Sequence, residues 1–240
     1  MSSDEIILYD LPSKQGFSWS LNPWKTRLAL NIKGLPYRTE WVEYPDLKPT
    51  FQKLGIPPND SGPFEYTSPT VRLPNGEYVM ESRKIIDRLE ALYPDPSLHL
   101  DSPYQARTEQ FLPKLVGTVR PIFMPLVPVT FLNPPSKQYF EQDREKTLGM
   151  PLQEYHAKNA EQAFRDVEPL WKELAGWYAE NEGGVWLEGK EIVYADVMVL
   201  ALMRMLDRLG VAERLWALEG GDVLKKVYDA AAKWFERDTY

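Results

Sequence analysis

The chain has 240 residues, of which 28 are Lys or Arg and 35 are Asp or Glu, so its formal net charge at pH 7 is −7. A phosphate backbone repels a chain of this sign on average and no basic cluster offsets the repulsion, so the composition disfavours nucleic-acid binding. The chain contains no cysteine and two histidines, which excludes disulfides, thiolate metal sites and a cysteine nucleophile and disfavours sites built from several histidines.

The sequence predicts a cytoplasmic protein without a bound metal and without membrane attachment. Residues 1–5 are acidic and lack the basic and then apolar layout of a signal peptide. Two apolar stretches, 112–132 and 197–206, are candidates for a membrane span, but neither qualifies. The first contains four prolines and the second is too short, since a spanning helix needs about 20 apolar residues with a satisfied backbone.

The first part of the chain predicts two strands separated by a helix. Residues 5–10 form a short apolar run that is typical of a buried strand, and residues 38–44 alternate as a second strand. Between them, apolar residues recur at spacings of three and four, as on one face of a helix: Leu21, Trp24, Leu28 and Ile32.

A hairpin and a helix are predicted next. The Pro/Gly-rich region 45–69 predicts one short helix near residues 50–54 and otherwise loop. Residues 70–73 and 77–80 flank Asn75-Gly76, the strongest short signal for a hairpin. Ser82 precedes an apolar helical face and is predicted to be the N-cap of that helix. The order β-α-β-(α)-β-β-α is typical of one α/β unit.

A proline-rich stretch separates two predicted domains. We place the first domain at residues 1–93, the linker at 94–103 and the second domain at 104–240. Every element predicted after the linker is a helix: 104–119, 138–148, 152–181, 195–209 and 222–235. The prolines between residues 121 and 128 are expected to exclude regular helix there.

Three polar positions of the first domain are candidates for a binding site. Ser20 precedes the first helix, Ser68-Pro69 opens the hairpin, and Glu81-Ser82 opens the next helix. Each has a simpler interpretation, because serines commonly cap helices and prolines commonly open strands. The functional interpretation is that a helix N-terminus stabilises an anion, while a cis Pro69 turns the backbone of Ser68 towards a ligand.

Taken together, these positions resemble the glutathione transferase superfamily. The resemblance extends over nearly the whole chain and includes Asp196, at the place of the family's helix-capping aspartate, although Val193 stands where that box usually has Ser or Thr. The run from Ser20 to Arg27 is similar to the bacterial β-etherases and more so to the etherase-like fungal class. The resemblance implies a thioredoxin-like N-terminal domain followed by an all-α helical bundle.

The resemblance also implies a serine-type glutathione site. Ser20 would hydrogen-bond the glutathione sulfur, and Asn22, beside it, is a weaker candidate for a second polar contact. Ser68, before a cis Pro69, would pair with the cysteinyl backbone of glutathione, and Glu81 and Ser82 would bind its γ-glutamyl end. A free thiol has a pKa near 8.5, and lowering it by about two units takes roughly 2.7 kcal/mol, about what one hydroxyl and a helix N-terminus supply.

The second substrate is expected where the two domains face each other. Phe17 and Trp19 would form the floor of that pocket, and Arg120, Phe123 and Met124 its lip, although ordinary packing explains each of them equally well. The expected activity is conjugation of glutathione to aromatic or phenolic electrophiles, or cleavage of a β-aryl ether. The alternatives are a carrier of aromatic or polyphenolic ligands and a non-catalytic interaction protein. A homodimer is expected from the resemblance alone.

Overall fold

The computed structural model describes residues 5–60, 62, 64–180 and 183–239. The chain forms two compact units. The first holds the chain up to Ser97, together with residues 131–140 and the chain from Arg237 onward, and the second holds residues 98–130 and 141–236.

The first unit contains a four-stranded mixed sheet. Its strands are β1 (Ile6–Asp10), β2 (Tyr37–Trp41), β3 (Thr70–Arg72) and β4 (Tyr78–Met80), in the spatial order β2-β1-β3-β4. β1 runs parallel to β2 and antiparallel to β3, and β3 pairs antiparallel with β4. All five residues of β1 are buried, which explains why its first four residues form an unbroken apolar run rather than an alternating one.

The predicted hairpin is confirmed. β3 and β4 pair from Thr70 opposite Met80 to Arg72 opposite Tyr78. The turn between them contains Gly76 at φ 89°, a left-handed conformation that glycine adopts without steric cost. The Asn-Gly signal therefore fixes the register that brings the entry and exit of the hairpin together.

Three α-helices complete the α/β part of the first unit: α1 (Leu21–Ile32), α2 (Leu47–Lys53) and α3 (Ser82–Leu92). A short 3-10 helix, Tyr44–Asp46, precedes α2. α1 and α3 pack together, and the apolar residues of α3 that the sequence places on one face are all buried. This architecture is the predicted thioredoxin-like fold.

The predicted N-cap of α3 is wrong by one residue. Ser82 is the first residue of α3, and the N-cap position belongs to Glu81, at φ 79° and ψ 125°. The Glu81 N–H donates to the carbonyl of Pro69 at 3.3 Å, while the Glu81 carbonyl accepts from Ile85 at 2.9 Å. Glu81 therefore links the hairpin to the helix, and the sharp change of direction falls on it rather than on Ser82.

The predicted all-helical character of the remainder is confirmed in the part of the chain that the structure describes. Its helices are α4 (Pro103–Phe123), α5 (Val127–Thr130), α6 (Pro134–Leu148), α7 (Leu152–Ala179), α8 (Tyr194–Arg208), α9 (Ala212–Trp216), α10 (Gly221–Ala230) and α11 (Ala232–Phe235). Within the second unit, α4 packs against α7 and α8. None of the described helices has the length and apolar content needed to cross a membrane.

The expectation that residues 121–128 exclude regular helix is wrong at both ends. α4 continues through Pro121 to Phe123, and Pro128 lies inside α5. Pro121 removes one hydrogen bond of the helix, but the buried side chains of Val119 and Ile122 hold this turn in the packed unit. Pro128 is the second residue of α5, where a backbone N–H has no partner within the helix.

Asp196 caps α8, as predicted. Its carboxylate accepts hydrogen bonds from the backbone N–H of Val193 at 2.9 Å and of Leu187 at 3.1 Å. Val193 has no side-chain acceptor with which to return the bond, so the carboxylate alone secures this helix end. Burial raises the pKa of Asp196 to about 7, because a charged carboxylate loses its hydration there.

Candidate functional site

Ser20 is the N-cap residue of α1. Its backbone is extended, at φ −79° and ψ 138°, and its carbonyl accepts the first helical hydrogen bond from Trp24 at 3.0 Å. The hydroxyl is half-buried and makes no capping hydrogen bond. Leu21 and Asn22 are the first two residues of α1, where the backbone N–H groups of a helix have no acceptor within the helix. The first turn of α1 thus offers a hydroxyl and two backbone donors to an anion.

Asn22 is exposed, and its side-chain oxygen is already engaged. Oδ1 of Asn22 accepts a hydrogen bond from the ammonium group of Lys25 at 2.9 Å. The side chain therefore lies along the surface of the first turn of α1. Its predicted contact with the sulfur stays a prediction.

Ser18, two residues before Ser20, has a different environment. Its side chain is fully buried and its hydroxyl donates to Oδ2 of Asp10 at 2.8 Å. Its carbonyl accepts from the indole N–H of Trp24 at 3.1 Å, and its N–H donates to the carbonyl of Asp238 at 2.8 Å. All the polar groups of Ser18 make hydrogen bonds inside the fold. The hydroxyl of Ser20, in contrast, makes no capping hydrogen bond to its helix.

A buried ion pair lies next to Ser18. Arg27 of α1 donates to Oδ2 of Asp10 at 2.9 Å, and neither side chain is exposed. Arg27 also donates to the hydroxyl of Thr39 at 3.0 Å, and Oδ1 of Asp10 accepts from the N–H of Leu11 at 2.7 Å. This pair could not be predicted from the sequence, because its members lie 17 positions apart and no local pattern joins them.

Ser68 precedes a cis peptide bond to Pro69, as predicted. The Ser68 hydroxyl donates to the carbonyl of Tyr9 at 3.1 Å, which ties the loop to the end of β1. Within the described chain the backbone N–H and C=O of Ser68 make no backbone hydrogen bond. A peptide-like ligand is the natural partner for one free donor beside one free acceptor.

Glu81 is held in a defined orientation. Its Oε1 accepts hydrogen bonds from the side-chain amide of Asn59 at 3.1 Å and from the hydroxyl of Thr67. A residue with a side chain at φ 79° is strained, and such strain concentrates at binding sites. Ser82 follows directly and is half-buried. Asn59 and Thr67 could not be identified from the sequence, since both lie in the part of residues 45–69 that is predicted to be loop.

The carboxyl end of β1 connects these parts. Tyr9 accepts from the Ser68 hydroxyl and Asp10 accepts from the Ser18 hydroxyl. The bond from Glu81 to the Pro69 carbonyl joins Glu81 to the same loop. Three positions that lie far apart in sequence are therefore fixed to one strand end, where α/β sheets commonly bind ligands.

Two of the predicted pocket residues lie in the first unit with an aromatic partner that the sequence analysis missed. Phe131 stacks on Trp19 with ring centroids 5.2 Å apart, and meets Phe17 edge-on at 6.1 Å. Trp19 is buried, and its indole N–H donates to the carbonyl of Pro12 at 3.2 Å. This contact across more than a hundred residues has no signal in the sequence.

The other predicted pocket residues belong to the second unit. Arg120 is exposed and Phe123 half-buried near the end of α4, and Met124 is buried just after it. Their grouping with Phe17 and Trp19 around one substrate stays a prediction.

The described residues contain no group of three or more acidic or histidine side chains able to hold a metal ion. The polar groups at the end of β1 suit an organic ligand with a peptide backbone and an anionic centre. The free donors of the α1 N-terminus would face the anion, and Ser68 would face the peptide.

Comparison with known proteins shows the family to which the chain belongs. Residues 19–92 match the family described as "Glutathione S-transferase, N-terminal domain", and residues 105–234 match "Glutathione S-transferase, C-terminal domain". The glutathione S-transferase-like protein ustS of Aspergillus flavus is 28% identical over 239 residues, covering 91% of this chain and 86% of that protein.

Two solved structures share the fold over almost their whole length. Glutathione transferase GSTFuA2 from Phanerochaete chrysosporium is 31% identical, with a TM-score of 0.87 and coverage of 98% of this chain and 99% of that chain. CsGST63524 from Ceriporiopsis subvermispora, solved in complex with glutathione, is 25% identical, with a TM-score of 0.83 and coverage of 96% and 98%. The chain therefore belongs to the glutathione S-transferase family.

Proposed function

We propose that this protein binds glutathione, lowers the pKa of its thiol through the Ser20 hydroxyl, and directs the thiolate at an electrophilic carbon of an aromatic or phenolic compound. The observation that carries the proposal is the state of the α1 N-terminus, where the Ser20 hydroxyl makes no capping hydrogen bond. In a protein without cysteine, the reactive sulfur belongs to the substrate.

The other site residues fit the rest of glutathione. The backbone N–H and C=O of Ser68 would pair with the cysteinyl residue, in the manner of one rung of a β-ladder. The Glu81 carboxylate, oriented by Asn59 and Thr67, would accept from the γ-glutamyl ammonium group. Ser82, at the N-terminus of α3, would receive the γ-glutamyl carboxylate. This assignment gives each charged end of the γ-glutamyl group a partner of suitable chemistry.

Ionisation of the glutathione thiol at neutral pH needs a modest stabilisation of the thiolate relative to the thiol. A thiol with a pKa of about 8.5 is only a few per cent ionised at neutral pH. A shift of two units corresponds to about 2.7 kcal/mol. A hydroxyl donor to an anion contributes about 1.5–3 kcal/mol and a helix N-terminus adds about 0.3–1 kcal/mol. The two together reach the required range.

The reaction then proceeds as nucleophilic displacement. The thiol proton leaves to solvent, and the Ser20 O–H donates to the remaining sulfur anion. The sulfur forms a bond to the electrophilic carbon, and the group on that carbon departs with its electron pair. Displacement of a halide from an aromatic ring conjugates glutathione to that ring, whereas displacement of a phenolate from the β-carbon of a β-aryl ether cleaves the ether.

The glutathione part of the proposal has support from relatives. CsGST63524 and CsGST83044 of Ceriporiopsis subvermispora, each 25% identical to this chain, are solved in complex with glutathione. The serine-type assignment and the etherase-like subclass are proposed on the run from Ser20 to Arg27. A homodimer in the cytoplasm is the expected form of the protein.

A carrier of aromatic ligands is the second candidate function. The half-buried ring of Phe17, which packs edge-on against the buried Phe131, favours it, because a partly exposed aromatic ring can pack against another aromatic molecule. A carrier would bind phenolic compounds with or without glutathione, and would turn them over slowly.

Two measurements test the proposal. Glutathione at a hundredfold excess over its dissociation constant should stabilise the fold by about 2.7 kcal/mol, seen as a rise in the melting temperature. Turnover of a chloronitrobenzene and of a β-aryl ether should then be compared with phenolic binding. The absence of any thermal shift at millimolar glutathione would remove the proposal, while a shift without turnover would favour the carrier.

A further inference from the structure

The last described residues of the chain, 237–239, pack in the first unit, and we call them the 237–239 segment. The guanidinium of Arg237 lies over the ring of Tyr37, 3.9 Å from its centroid. It donates to the carbonyls of Leu35, at 3.2 Å, and of Tyr37. The carbonyl of Arg237 accepts from the side chain of Asn31 at 3.2 Å. Arg237 is thus fixed through both its side chain and its backbone.

The next residue of the segment reaches the loop before α1. The carbonyl of Asp238 accepts the N–H of Ser18 at 2.8 Å, and Asp238 is 8% exposed. The other polar groups of Ser18 bind Asp10 and Trp24. Ser18 is therefore held by three separate parts of the first unit: the end of β1, the first turn of α1, and the 237–239 segment.

Ser20 lies two residues beyond this anchor. Its hydroxyl makes no capping bond that would fix its direction, so its position depends on the loop that carries it. A hydrogen bond to sulfur weakens steeply as distance and angle depart from their best values. A small displacement of a catalytic donor therefore lowers the reaction rate strongly. The contacts that support the donor determine how accurately it is placed.

We propose that the 237–239 segment is a positioning element for the Ser20 hydroxyl, acting through the bond from Ser18 to Asp238. The inference rests on the proposed function of Ser20 and extends it to residues more than 200 positions away in sequence. Arg237 is the anchor of the segment, and its two carbonyl contacts and its stacking on Tyr37 keep Asp238 against Ser18.

The test compares Arg237→Ala, Arg237→Lys and Ser20→Ala with the unaltered protein, using the dependence of kcat on pH and the KM for glutathione. Arg214→Ala is the matched control, because Arg214 also stacks on an aromatic ring, 3.7 Å from that of Phe164, and binds Glu161, but lies in the second unit. All variants are assayed at a temperature where circular dichroism shows them folded.

Arg237→Ala should lower kcat about tenfold at pH 6.5 and move the rising limb of the kcat profile to higher pH, with KM changed less than about threefold. Arg237→Lys, which keeps a donor for the carbonyls, should restore part of the loss, and Arg214→Ala should match the unaltered protein. If Arg237→Ala fails to fold, Asn31→Ala, which removes one bond to the segment, should give a smaller shift of the same sign.

Two contrary results are distinguishable. If Ser20→Ala shifts the pH profile while Arg237→Ala and Asn31→Ala leave it unchanged, the positioning role is overturned and the proposed function stands. If Ser20→Ala itself leaves the profile unchanged, the proposed role of Ser20 falls, and with it the inference that depends on it.

Discussion

The side-chain amide of Asn59 donates a hydrogen bond to the carboxylate of Glu81 at 3.1 Å, across 22 residues of sequence. Thr67 donates to the same oxygen. One carboxylate oxygen is thereby committed within the protein and the side chain is oriented before any ligand arrives. An oriented carboxylate binds an ammonium group without first losing rotamer entropy, which favours affinity.

Replacing Asn59 by Ala should weaken glutathione binding about five- to tenfold and leave kcat nearly unchanged. The loss corresponds to about 1–1.4 kcal/mol, in the range of one hydrogen bond to a charged group that is partly exposed. Isothermal titration calorimetry measures the change. Asn75→Ala is the matched control, because Asn75 also donates to a glutamate, Glu77, but in the hairpin turn. Equal affinities for the two variants would show that Asn59 does not orient Glu81.

Asp10→Ala should destabilise the protein by about 3–5 kcal/mol, because it leaves the fully buried Arg27 without its carboxylate. Denaturant unfolding gives the free-energy change. Asp87→Ala is the control, since Asp87 pairs with Arg83 at 3.0 Å on the surface, with both side chains nearly half exposed, and should cost under about 1 kcal/mol. A double variant Asp10→Ala with Arg27→Met should recover part of the loss. Equal costs for Asp10→Ala and Asp87→Ala would contradict the account.

The sequence was sufficient for the four strands, for most of the helices, for one turn and for one cap, but it gave no signal for α5 or α9. The hairpin followed from Asn75-Gly76, because those residues have a strong local preference for the turn. The cap of α8 was implied by the family resemblance, which places Asp196 at the helix-capping aspartate, and a carboxylate three residues into a helix binds the backbone at its start. Both depend on interactions between near neighbours in sequence.

The remainder of the candidate site depends on contacts that no local pattern encodes. The stacking of Phe131 on Trp19, the pairing of Arg27 with Asp10, and the contact of Asp238 with Ser18 join residues brought together by the tertiary fold. The N-cap of α3 was predicted one residue too late. Serine is a preferred cap, whereas a non-glycine residue such as Glu81 rarely adopts positive φ, so the sequence favoured Ser82.

The buried carboxyl of Asp196 should make stability depend on pH. Burial raises its pKa to about 7, above the value near 3.9 of an unfolded chain. Between about pH 4 and 7 the folded state therefore holds a proton that the unfolded state releases. The contribution of Asp196 to the free energy of unfolding is present at low pH and falls as pH rises, with a slope that approaches about 1.4 kcal/mol per pH unit.

Asp196→Asn isolates this effect, because the amide does not titrate. Unfolding free energies of both proteins should be measured at pH 5 and at pH 7. The advantage of the unaltered protein over Asp196→Asn should shrink between these values. Tyr178 and Glu188 also influence the pKa of Asp196. Both residues remain in Asp196→Asn, so their own contributions to stability largely cancel when the two proteins are compared. A constant difference would show that Asp196 is already ionised at pH 5.

In the proposed mechanism the hydroxyl of Ser20, rather than that of Ser18, stabilises the thiolate of bound glutathione. The direct measurement is the ultraviolet absorbance of the thiolate in the glutathione complex, titrated from pH 5 to pH 10 for the unaltered protein and for Ser20→Ala. We expect a thiol pKa about two units below 8.5 in the unaltered protein and a return close to 8.5 in Ser20→Ala, with glutathione still bound through Ser68, Glu81 and Ser82. An unchanged thiol pKa in a Ser20→Ala complex that still binds glutathione would contradict this role of Ser20.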